Sequence, residues 1–150
     1  MKAITLIQPW ATLLVSGHKT VETRAWATNH RGPLLIHAGV SKNRVIDFLF
    51  TQEPFASCLK ELGYQCSKDL PRGKIVGIVT VESVAKAEDI SKNLSEKEKA
   101  FGDFRQGVFS WICKNPIIFK NPIPLRGELR IFEVESYRLK NTEAEPYAQE

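Results

Sequence analysis

The stretch Gln8–Trp26 constrains this chain more than any other. Pro9 suits the first position of a helix, where its missing N–H would have no partner anyway. Gly17 suits a helix stop, because it enters the left-handed conformation without a steric penalty. Between them Trp10, Leu13, Leu14 and Gly17 recur at i, i+3, i+4 and i+7, one apolar face about two turns long. After Gly17 the period becomes two. Val21, Thr23 and Ala25 alternate with Glu22, Arg24 and Trp26, the mark of a short strand with two unlike faces. One face is small and apolar. The other carries a carboxylate, a guanidinium and an indole, with Lys19 just upstream, as the wall of a binding cleft would.

Charge distribution bears on what such a cleft would hold. The net charge is +4 in 150 residues, but Met1–Arg44 holds Lys2, Lys19, Arg24, Arg31, Lys42 and Arg44 against the lone acid Glu22. The last ten residues hold three glutamates and no base. A basic front invites an anionic partner, nucleic acid being the commonest, or is simply a solvated face. The opening apolar run ends at Gln8-Pro9, too short for a signal peptide or a membrane span. Cys58, Cys66 and Cys113 fit no metal or redox spacing, and His18, His30 and His37 form no ligand pattern, so no metal and no cofactor is expected. An odd number of thiols points to a reducing, cytoplasmic setting.

The remaining chain reads as strands with helices inserted. Ala3–Ile7 and Leu34–Ala38 are β-branched or apolar runs of strand length. Ser41 and Pro54 open helices, the second stopping at Gly63. Lys74–Val84 is a long strand, with Gly77 marking a bulge or a close backbone approach. Ser95-Glu96-Lys97-Glu98 has capping-box spacing. Gly107–Cys113 is apolar on both faces and reads as central, while Asn115-Pro116 and Asn121–Pro124 read as separate edge segments. Glu128–Glu135 alternates as the last strand. Residues 141–150 are acidic and weakly apolar, hence a frayed tail. The expected fold class is α+β: a small mixed β-barrel of about six strands with helices packed on its outside, in one domain over residues 1–140.

Several stretches together resemble the ASCH domain family: Gln8–Ala11, Gly17–Trp26, His30–Ala38, the Pro71-Arg72-Gly73 strand entry and Phe109–Pro116. The resemblance spans roughly Lys2 to Val134. It implies a PUA-like barrel with a cleft beside the first helix and a role with nucleic acid, most often RNA, or with a nucleotide. Some members are enzymes: an amidohydrolase branch acts on N4-acetylcytidine, and another branch is described as a ribonuclease. The amidohydrolase branch uses a lysine and, three residues on, a threonine. Lys19 matches the first, but Glu22 stands at the second, and a carboxylate lacks the O–H that a base-activated nucleophile requires; Thr23 faces the other side of the strand, which leaves Thr20, at the turn, as the alternative hydroxyl.

The candidate site follows from both readings. Lys19 and Glu22 meet across a turn, either as an ion pair or as the floor of a cleft, and are the catalytic candidates if the protein is an enzyme. Glu22 can accept from a cytosine or guanine amino edge. Arg24 suits a phosphate clamp. Trp26 suits base stacking or barrel packing. Trp10 lies on the apolar helix face. Gln8 either presents its amide to a ligand or caps the helix. His37 and Ser110 sit within apolar strands, lining the cleft or hydrogen-bonded in the core. Arg31, Arg72 and Arg126, each before a glycine at a strand entry, are candidate rim contacts to phosphates.

Overall fold

The structure is a computed structural model that describes residues 1–148. Its elements in chain order are β1 (Lys2–Leu6), α1 (Trp10–Ser16), β2 (Val21–Arg24), β3 (Gly32–Ala38), α2 (Arg44–Leu49), α3 (Phe55–Glu61), β4 (Lys74–Lys86), α4 (Ala87–Ile90), α5 (Glu96–Phe101), β5 (Phe109–Pro124) and β6 (Ile131–Glu133). The strands form one mixed sheet in the order β2-β5-β4-β3-β1-β6, in which β1 and β3 run parallel and the other neighbours antiparallel. The result is a six-stranded half-barrel of the PUA-like type. The terminal strands β2 and β6 are not paired, so a seam stays open between them.

Helix α1 forms as its spacing dictates. Gly17 ends it at φ 85°, with its N–H donating to the Leu14 carbonyl. The helix is not an outer layer, however: Ala11, Leu13, Leu14 and Val15 are all buried. Ala11, Leu14 and Val15 pack onto one face of the sheet with Ile4, Ile36, Val79 and Trp111. Leu13 points the other way, into a second cluster with Ile46, Phe55, Leu59 and Phe101 from α2, α3 and α5. A helix apolar nearly all round belongs between two layers. Burying a leucine or valine side chain contributes about 1.5–3 kcal/mol. Gly77 has both features expected of it. The β4 register shifts beside it, and a Cβ there would lie 2.2 Å from the Ile117 carbonyl oxygen and 2.7 Å from Val15 Cβ.

Four expectations are corrected. Helix α2 is capped by Asn43, whose side chain accepts from Ile46 N at 3.2 Å, rather than by Ser41. The proline segments after Cys113 are not separate, since β5 runs unbroken for 16 residues. Strand β2 pairs with it only along Phe109–Ile112, so beyond that point one side of β5 is an edge where a proline costs no ladder bond. Pro116 falls in a register shift, next to Asn115 at φ 50°. Strand β6 has 3 residues instead of eight positions, because it pairs only with Lys2–Ile4 of β1. Residues 141–148 are held, not frayed. Ala144 is fully buried in a cluster on the sheet's other face with Leu35, Ile78 and Phe132. Glu143 accepts from the Lys120 and Asn121 backbone N–H groups at 3.1 and 2.7 Å. The last two positions of that predicted tail, Gln149 and Glu150, lie outside the described residues.

Candidate nucleic-acid interface

A hollow of about 490 Å³ opens where the seam passes α1. One wall is the end of β1 and the link after it, Thr5–Ile7; the floor is Lys19, Glu22 and Arg24; the far wall is Ala100–Asp103, the end of α5 and the turn beyond it. Trp10 stands between these walls and is pinned, its Nε1 donating to the Phe101 carbonyl at 2.8 Å. The Asp103 N–H donates to the Thr23 hydroxyl at 3.3 Å. The α5 segment is therefore tied to both sides of the opening.

The floor is one connected polar unit. Lys19 is 1% exposed, and its Nζ donates to the Val21 carbonyl and to Glu22 Oε1, the latter at 3.1 Å. The other carboxylate oxygen of Glu22 accepts from Arg24 Nε at 3.0 Å. Arg24 Nη2 then crosses the seam to the Thr5 carbonyl at 2.9 Å. That carbonyl lies just beyond the last β1 residue paired with β6. Arg24 thus supplies by side chain the link that the short sixth strand leaves unmade. Its Nη1 has no hydrogen-bond partner among the described residues and remains a donor at the floor. Behind the floor, burial and the nearby Glu22 carboxylate push the Cys113 thiol up to about 12, so it is protonated and inert at neutral pH. Glu98 holds the approach to β2, accepting from the Thr20 N–H and hydroxyl at 2.8 and 2.7 Å.

Four of the predicted site residues converge here: Trp10, Lys19, Glu22 and Arg24. The others do not. Gln8 is fully buried and caps α1, its Oε1 accepting from Thr12 N while its amide donates to the Thr12 hydroxyl and the Pro71 carbonyl. Trp26 packs edge-on against Trp111, with centroids 4.9 Å apart, and carries the Arg130 guanidinium 4.0 Å over its ring. The indole of the hollow is therefore Trp10, not Trp26. His37 is buried behind β1 between the Thr5 hydroxyl at 3.1 Å and the Leu125 carbonyl at 2.6 Å. The carbonyl only accepts, so Nε2 carries the proton and Nδ1 accepts from Thr5. Burial depresses the basicity of His37, opposed by the bond to Leu125. Ser110 is fully buried, and its hydroxyl has no partner among the described residues. Arg31 folds back onto the Thr28 and His30 carbonyls. Arg72 and Arg126 line other hollows.

The hollow is also not basic. Among its lining residues two cations stand beside two carboxylates: Lys19 and Arg24 share Glu22, and Asp103 is held by Arg105 at 2.9 Å. Asp103 and the rest of the far wall were missed by sequence reasoning, which identified the helix starting at Ser95 but had no means to place its end opposite β2. No group of three or more potential metal-binding side chains occurs among the described residues, and no helix among them is long and apolar enough to cross a membrane.

A PUA-like half-barrel with a cleft at its seam, beside the first helix, defines the class of protein. The ASCH domain family model matches residues 4–123, and the chain belongs to that family. The chain is similar to activating signal cointegrator 1 of Homo sapiens, 33% identical over 138 residues and 89% of its own length, and to the Mus musculus protein at 32% over the same share. It spans only 22% of the length of these relatives. Among solved structures it is similar to an ASCH protein from Zymomonas mobilis, with a TM-score of 0.54 and 14% identity, covering 93% of this chain and 90% of that one. A single-substitution variant of that protein has the same TM-score and identity over 93% of each chain.

Proposed function

We propose that this domain binds nucleic acid, RNA foremost, by receiving one base in the seam cleft. The observation that carries this reading is the adjacency of Glu22 and Arg24 on a half-open floor beside the Trp10 indole. A carboxylate accepts from a base amino group, a guanidinium donates to a base carbonyl or a phosphate, and an indole packs against a base. The volume falls in the range of small-ligand sites, and the family's association with nucleic acid supports the same reading. Hydrolysis is not favoured. The position three residues after Lys19 holds Glu22, which has no hydroxyl to activate.

The test is fluorescence anisotropy with a short labelled single-stranded RNA. Arg24→Ala removes charge-assisted bonds worth about 1.5–3 kcal/mol, so the dissociation constant should rise roughly 10- to 100-fold. Unchanged affinity in a folded variant rejects the cleft. Deacylation of N4-acetylcytidine by the wild-type protein would replace the binding reading with the enzymatic one.

A further inference from the structure

A base-sized cleft with balanced charge does not attract a polyanion. Most of the affinity of a nucleic-acid binder comes from cations near phosphates, and both cations of the cleft floor are already engaged by the Glu22 carboxylate, while Asp103 on the far wall is paired with Arg105. The seam site is thus incomplete as a binder of a strand.

The missing charge gathers elsewhere. A separate hollow of about 520 Å³ lies between α2 and the loop before β4, and Lys42, Arg44, Lys68 and Arg72 face it against one carboxylate, Asp47. Arg72 is fixed in place by its N–H groups. It donates to the Ser41, Ser67 and Leu70 carbonyls and to the Ser67 hydroxyl at 2.7–3.3 Å. Four of its five N–H groups are spent on the protein, so it contributes charge and rigidity. Lys42, Arg44 and Lys68 are exposed and have no ion-pair or hydrogen-bond partner among the described residues. Four like charges around one cavity repel one another, a cost that an anionic ligand would relieve. Phe48, 60% exposed, lies one helical turn after Arg44 and adds an aromatic surface of the kind single strands stack upon.

The segments that flank the two hollows are joined by a part-buried hydrogen bond. Gln8 follows Ile7 of the cleft wall, and its amide donates at 2.9 Å to the carbonyl of Pro71, the residue before Arg72. This bond ties the segment beside the cleft to the segment beside the basic hollow.

Resting on the base-binding reading of the cleft, we propose that the Lys42–Arg44–Lys68–Arg72 hollow is a phosphate track for the flanking nucleotides of a single strand. The cleft reads a base and the track supplies the salt-dependent attraction.

Anisotropy with a labelled single-stranded RNA of about ten nucleotides, at salt from about 50 to 200 mM, tests this. The triple variant Lys42→Ala/Arg44→Ala/Lys68→Ala should flatten the log–log salt slope by roughly 2, since each cation contributes about 0.7 on a single strand. Its affinity at low salt should fall at least about tenfold. All three side chains are exposed, and circular dichroism checks the fold. The single charge reversal Lys68→Glu should act in the same direction with less risk to it. Arg24→Ala should instead lower affinity while leaving most of the slope in place. An unchanged slope in the triple variant and in Lys68→Glu overturns the track but leaves the cleft standing. A flattened slope with no effect of Arg24→Ala overturns the cleft and, with it, the division of labour. Vesicles containing phosphatidylglycerol form the control: vesicle binding lost in the triple variant while RNA binding persists would mean a lipid-facing patch and overturn the proposal.

Discussion

Lys19 and Glu22 form a buried pair whose energetics can be isolated by a double-mutant cycle. At 3.1 Å and an effective dielectric constant of about 20, their attraction is about 5 kcal/mol before desolvation is subtracted. Glu22→Leu strands the Lys19 ammonium with only the Val21 carbonyl as partner. Breaking a buried pair in this way costs about 3–5 kcal/mol. Lys19→Met is milder, at about 2–3 kcal/mol, because Arg24 still holds Glu22 at 3.0 Å. The double variant strands no buried charge: Arg24 has a side-chain exposure of 26% and reaches water. It should cost only about 1–2 kcal/mol, since apolar replacement of a whole buried pair is often near neutral. The four proteins are compared by urea unfolding at neutral pH, where each about 1–3 kcal/mol moves the midpoint by roughly 1 M. The expected coupling is about 3 kcal/mol or more. Single-variant losses that add to the double-variant loss within about 0.5 kcal/mol would show the pair to be energetically independent and refute the argument.

Three further outcomes are expected. His37 is buried with its basicity depressed, so the folded state binds its proton more weakly than the unfolded chain does. Stability is full above the ordinary histidine range and falls as pH drops below it; urea midpoints at pH 7.5 and 5 should differ more in the wild type than in His37→Gln, and equal differences would contradict the assignment. Iodoacetamide with mass spectrometry should label Cys66, which is exposed, and spare Cys58 and Cys113, which are buried with thiols pushed up; equal labelling of all three would refute the packing. Gly77→Ala should destabilise by about 1–3 kcal/mol or more, because its Cβ would lie 2.2 Å from a backbone oxygen; an unchanged thermal midpoint would mean that α1 does not press on β4 there.

The parts of the fold written locally were legible. Helix α1 and its Gly17 stop, strand β2 with Glu22 and Arg24 on one face, and the Ser95 cap follow from period and turn chemistry within a few residues. What failed depended on distant partners. Pro116 and Pro122 argue for a break in β5, but β2 is too short to demand their N–H groups. Trp26 lies in register with Glu22 and Arg24, yet the strand ends at Arg24 and the indole turns onto Trp111. The arginines before glycines could gather at one rim or be scattered; the structure scatters them, tying Arg72 to three carbonyls and folding Arg31 onto its own turn. A guanidinium's fate depends on which carbonyls the loops bring to it, and sequence spacing does not say.

The floor of the cleft does two jobs with the same atoms. Arg24 fastens β2 to β1 through Thr5 and also turns a free N–H toward the opening. Glu22 neutralises buried Lys19 and also presents an acceptor. A ligand that draws on either group therefore acts on the side-chain link that bridges the open seam. Binding should raise the unfolding midpoint by mass action, and should also slow amide exchange in β2 beyond what the midpoint shift accounts for, because a bound base bridges Glu22 and Arg24 on the edge strand. Lys19 cannot serve as a ligand contact on the same footing. It is 1% exposed and spent on Val21 and Glu22, so its substitution reports on the seam. Binding losses in Lys19 variants should track their stability losses, while those in Arg24 variants should exceed them.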